Sequence, residues 1–186
     1  MADKTLLFAG TYDNLDNAWA VPTTVLKGSG TGVAATTSCF FSGPGGCHIT
    51  DVYYIARDLT FTDPAGEVHI GLRIRTSVDG GATLVTVDPT PIWATNDCPR
   101  IWDDTNNDTG DFALDVPVKA FPYIGAGKGG FIGPTEVGPI FLPTNAHVLI
   151  EVAPVLDQAL VDMTGTGELD SFDVLVFGQY RTHSRV

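Results

Sequence analysis

Glutamate and lysine are scarce in this 186-residue chain, with four of each, while aspartate reaches 18. The straight-chain residues that fill helix surfaces are therefore missing, which argues against a helical fold. Positive charge is also short. Ten Lys and Arg stand against 22 acids, giving a formal charge of −12, and they are scattered rather than clustered. Neutralising a phosphate backbone needs clustered cations, so nucleic acid is not an expected partner. The longest apolar run falls well below the roughly 18 residues that span a bilayer. The opening MADKTLLFAG carries an apolar patch of about five residues, Leu6 to Gly10, short of a signal-peptide core. No membrane partner and no secretory route are expected. Cysteine is limited to Cys39, Cys47 and Cys98, an odd number without a CxxC pair, which fits neither a disulfide framework nor a zinc knuckle. Cys39 and Cys47 flank a Gly/Pro-rich loop whose ends can approach, so either a bridge or two buried free thiols fits there.

What is present is the vocabulary of strands and tight turns: 22 Thr, 21 Gly, 12 Pro and many Val and Ile. With 44% apolar and only 17% charged residues, the chain is too apolar to stay disordered, and its length suits one domain, 1–186. Glu67 to Thr76 alternates Val68, Ile70, Leu72 and Ile74 with His69, Gly71, Arg73 and Arg75, the period of a half-buried strand. Asp79, Gly80 and Gly81 then predict a hairpin into Ala82 to Val87. Further strands are predicted over Lys4 to Ala9, Thr23 to Leu26, Val33 to Phe41, His48 to Ala56 and Leu59 to Thr62. Later ones cover Phe112 to Val116, Lys119 to Tyr123, Val137 to Leu142, Ala146 to Ala153 and Ser171 to Tyr180. Val155 to Met163 suits a short turn of helix. The expected architecture is all-β, an antiparallel jelly-roll or Greek-key β-sandwich with an extended N-terminal segment. Two irregular segments, 88–111 and 125–139, are long enough to be functional or interface-forming.

Several residue groups are candidate sites. Asp103, Asp104, Asn106, Asp108 and Asp111 crowd into DDTNNDTGD, and Asp104, Asn106 and Asp108 match the first three ligand positions of an EF-hand loop. Thr109 replaces the required Gly and no helices flank the loop, so calcium binding competes with a solvated, turn-rich loop. No other cofactor is indicated. Trp93 and Trp102 bracket a short tract beside these carboxylates and suit either sugar stacking or burial at a core or subunit contact. His48, His69, His147 and His183 have no metal-ligand spacing, and IGAGKGGFIG lacks the ending of a phosphate-binding loop. No catalytic motif stands out, so no enzymatic activity is expected; a carboxylate pair of the glycoside-hydrolase type is the competing enzymatic reading.

The leading MADKTLLFAGTYDN and the closing ELDSFDVLVFGQYR (Glu168 to Arg181) frame an acidic, Lys-poor, helix-poor middle. In this the chain resembles the small jelly-roll structural proteins of tailed-phage virions, especially capsid decoration or cement proteins. The resemblance implies a homotrimer that sits on the major capsid protein and strengthens the shell, with the virion as its location. It carries over no functional residue. The expected contact surfaces are Leu6, Leu7, Phe8 and Tyr12 at the N terminus and Phe131, Ile132, Ile140, Phe141 and Leu142 in the apolar segment. The alternative is a calcium-assisted carbohydrate-binding jelly roll, or a tail or fibre component on the same sandwich.

Overall fold

A computed structural model describes residues 4–13, 15, 18–28, 38–58, 67–93, 97–102, 110–123, 138–156, 159–160 and 171–182. The strands, in chain order, are β1 (Thr5–Tyr12), β2 (Thr24–Lys27), β3 (Phe40–Phe41), β4 (Cys47–Asp58), β5 (Val68–Ser77) and β6 (Val85–Thr86). They continue with β7 (Arg100–Trp102), β8 (Pro117–Phe121), β9 (Ile140–Leu142), β10 (His147–Leu156), β11 (Ala159–Leu160) and β12 (Ser171–Tyr180). Two antiparallel sheets pack together as a β-sandwich. The first runs β2-β1-β12-β4-β8, with β9 also on β4; the second runs β11-β10-β5-β6, with β3 on β10 and β7 on β5. No described residue is helical.

The chain passes repeatedly from one sheet to the other, and β12 ends up between β1 and β4. The alternating side chains dictate this pairing, because each strand offers one apolar row to the interior. Val68, Ile70, Leu72 and Ile74 of β5 face Tyr54, Phe172, Val174 and Val176 from the other sheet within one core cluster. Gly178 lets β12 pass close to β4, since a Cβ there would lie 2.1 Å from the His48 carbonyl oxygen.

The predicted hairpin after β5 forms, with Gly80 and Gly81 at positive φ and Arg75 and Thr76 paired to Thr86 and Val85. Its second strand is only two residues long, because the Ser77 hydroxyl and the Asp79 carboxylate hold the turn open through Thr83. Three expectations are corrected. Phe112 to Val116 is a turn, not a strand, with Asp115 at φ 60°, and β8 begins beyond it. Val155 and Leu156 extend β10 and pair back onto Leu160 and Ala159 of β11, where a helical turn was predicted. The segment 88–111 is not simply a loop, since Ile92 bridges Leu72 and β7 pairs with β5. The predicted strands over 33–37 and 59–62 lie outside the described residues.

Cys39, Cys47 and Cys98 are free and buried. Burial pushes the Cys39 thiol up to about 12 and the Cys47 thiol up to about 11, far from the thiolate range needed for exchange.

Two buried tyrosines make opposite predictions. The Tyr12 hydroxyl donates to the Ile150 carbonyl at 2.7 Å, whereas the Tyr54 hydroxyl is buried without a partner among the described residues. An unmet buried hydroxyl costs free energy that its removal returns. Denaturant unfolding of Tyr54→Phe is expected to give unchanged or higher stability, and Tyr12→Phe a loss of about 1 kcal/mol. Equal losses in both variants would show that the two hydroxyls are equivalent.

Candidate functional site

The outer faces of the two sheets are built differently. On the second sheet, Arg73 and Arg75 project outward from β5 and Glu151 projects outward from the facing register of β10. Arg73 donates from Nε to Oε2 of Glu151 at 2.7 Å and from Nη2 to Oε1 at 2.9 Å. Arg75 does the same at 2.8 and 2.6 Å. The carboxylate, only 2% exposed, thus has four charge-assisted hydrogen bonds, which the desolvation of a buried anion demands.

A roof covers this cluster. Ala20, Val152, Leu72 and Ile92 lie in one row across the sheet, joined by backbone bridges at both edges. Trp19 and Trp93, the neighbours of the two outermost residues, reach inward from opposite edges until their ring centroids are 6.0 Å apart. The Arg73 guanidinium lies 4.6 Å from the centre of the Trp19 ring, a cation–π contact. Gly71 leaves the space that Trp93 occupies, since a Cβ there would come within 3.2 Å of the Trp93 Cβ.

The outer face of the first sheet has no such roof among the described residues. It presents Leu6, Phe177, Tyr53 and Leu175, all half-buried, as a contiguous apolar row. Tyr53 and Phe177 meet edge to face at 5.8 Å. At one end of the face, Phe141 is 60% exposed and lies against His48. Beside the row, Asp51 is held by Lys4 at 2.5 Å and Lys119 at 2.9 Å. Burial alone would raise the Asp51 carboxyl, but hydrogen bonds from Lys119, Lys4 and Thr50 outweigh it and hold it at about 2. At the other end Arg57 bridges Asp173 at 2.8 Å and Asp115 at 2.5 Å, and Thr11 donates to Asp173.

The expected contact residues divide accordingly. Leu6 and Phe141 are on this outer face. Leu7, Phe8, Tyr12, Ile140 and Leu142 belong to the core instead, which corrects the expectation that they form a surface. The reason is a bulge between Leu6 and Phe8 that turns both Leu7 and Phe8 inward, and the alternation of β9 that buries the neighbours of Phe141. Phe131 and Ile132 lie outside the described residues, as do Asp104, Asn106 and Asp108 of the calcium loop and the side chain of Trp102. Asp111 is described; its carboxylate accepts from the Arg100 amide and the Tyr123 hydroxyl, a role in closing its own turn. Trp93 packs at a tilt against Trp19, a residue that nothing in its own segment marks as a partner. Glu151 was discoverable: it is the lone acid in the apolar run HVLIEVAPVL, and RIR in β5 supplies two same-face cations.

No family model matches the chain, and no curated protein or solved structure matches it significantly.

Two variants test the two faces. Glu151→Ala leaves two guanidiniums facing one another under the tryptophan roof and is expected to cost about 3–5 kcal/mol in unfolding experiments. Asp51 carries the pH signature. Its folded pKa lies below the ordinary value near 4, so its stabilisation is complete above that value and is lost as pH falls from about 4 towards 2. Thermal melts of Asp51→Asn are expected to be flatter than wild type across that window; a superimposable pH profile would remove Asp51 from the account.

Proposed function

We propose that the protein is a non-enzymatic structural component of a virion, of the capsid decoration or cement type, which assembles with itself and with the shell through the outer face of its first sheet. The observation that carries this reading is the contrast between the faces. One is closed by the chain's own tryptophans, and the other keeps an apolar centre with a charged rim, the anatomy of a protein contact. The strand order supports it. β12 lies between β1 and β4 in one antiparallel sheet and β10 lies beside β5 in the other, a two-sheet sandwich of the class that includes the jelly rolls of viral capsid proteins. Docking would add stability by mass action, because only the folded form presents the face.

The same architecture also hosts lectins, and the half-buried Trp19–Trp93 pair favours a carbohydrate-binding module as the second reading. In that reading the Asp103 to Asp111 loop supplies oxygen ligands for calcium, and chelator abolishes binding.

One experiment separates them. The purified protein is mixed with capsids of the virus that carries it, pelleted through a cushion, and in parallel applied to a glycan array with and without chelator. Co-pelleting that Phe141→Asp weakens, with no glycan retained, is the expected result. Chelator-sensitive glycan binding lost in Trp93→Ala, with no pelleting above the capsid-free control, would overturn the virion reading.

A further inference from the structure

We infer that the outer face of the first sheet is self-complementary and takes a second copy of this chain in an antiparallel, two-fold face-to-face pair. The inference deepens the proposed function by naming one occupant of the same surface. Its basis is the distribution of charge along β12 among the described residues. At the level of Phe177, Lys4 and Lys119 share one carboxylate, Asp51, and leave one positive charge in surplus. Four residues away along the strand, at Asp173, a single Arg57 serves both Asp173 and Asp115 and leaves one negative charge in surplus. At the rise of a β-strand the two clusters are about 13 Å apart, with Leu175 and Tyr53 between them.

Turning a second copy by a half-turn about an axis through this apolar centre brings each copy's surplus-positive end over the other's surplus-negative end. A contact of one face with itself is necessarily two-fold. The six groups sum to zero charge, whereas the whole chain carries −12. Two copies approaching by most other surfaces meet net repulsion, and this face removes it. Asp51 and Asp173 are already held, at 5% and 8% exposure, while Lys4 and Asp115, 57% and 70% exposed, stand where they can reach the other copy. The apolar row, Tyr53, Leu175, Phe177 and Leu6, is half-buried, and Phe141, 60% exposed, extends the face beyond the Lys4–Asp51–Lys119 cluster.

The test is the mass of the full chain by sedimentation equilibrium over a wide concentration range, at low and at high salt. The expected mass at low salt is twice the 19.7 kDa of one chain, with weaker pairing at high salt. Lys4→Glu and Asp115→Lys are each expected to weaken pairing about tenfold or more, and the double exchange to restore it, because it recreates the complementary pair in reverse. Phe141→Asp, at a side chain that is already exposed, is the second probe and is expected to weaken pairing while the melting curve stays cooperative. A mass of one chain throughout, a mass of three chains as the resemblance implies, or a double exchange no better than its parents would overturn the inference. Capsid co-pelleting is scored separately. A monomer that still binds capsids removes the pair and leaves the virion reading standing, and a stable pair that ignores capsids does the reverse.

Discussion

A carboxylate with almost no access to water sets the terms for the second sheet. Glu151 sits in the most apolar strand of the molecule, and an isolated anion there would be strongly disfavoured. Its two arginines come from alternate positions of β5, so the register between β5 and β10 is fixed by charge as well as by the apolar row beneath it. A slip of one residue would move Arg73 and Arg75 into the core and Ile74 to the surface. The tryptophans complete the arrangement by excluding water, which strengthens the same hydrogen bonds that the burial requires. Burial, register and roof therefore depend on one another, and the edges of the sheet, at Ala20 and Ile92, are held in place as a result.

The first sheet uses the same device at lower cost. Asp51 is also nearly buried between two cations, but its lysines remain substantially exposed and, among the described residues, no aromatic lid closes over them. The described residues thus place two tryptophans over one face and leave Tyr53 and Phe177 only half-buried on the other. Under the proposed function that polarity is what a building block needs, because a subunit that is adhesive on every face precipitates and one that is adhesive on none does not assemble.

Much of the architecture was legible in the residues. The two-residue period of β5, the Asp79-Gly80-Gly81 turn and the limits of β12 all follow from local chemistry, and local chemistry is what a single sequence records. The failures share a cause in longer-range pairing. Phe112 to Val116 has strand-like composition, yet no neighbouring strand receives it and the chain turns at Asp115. Val155 to Met163 suits a short turn of helix, but Val155 and Leu156 continue β10 and pair with Leu160 and Ala159. Leu7 and Phe8 look like an adhesive N-terminal patch only if the strand is regular, and a bulge is invisible without its partner strand. The meeting of Trp19 with Trp93 depends on two bridges at opposite edges of a sheet and could not have been read from either segment alone.

The position of β12 has a consequence for how the molecule is made. It is the last of the described strands and yet lies in the middle of its sheet, with β1 on one side and β4 on the other. Thr11 and Asp173, which share a hydrogen bond, are 162 residues apart. While the chain emerges from the ribosome, β1 and β4 have the space between them empty, and both expose bonding edges that only β12 satisfies. The first sheet is complete only once β12 has inserted, a pairing of high sequence separation. Under the proposed function this also times adhesion: the apolar face that receives a neighbour includes Leu175 and Phe177, so it forms only when the strand that carries them has arrived.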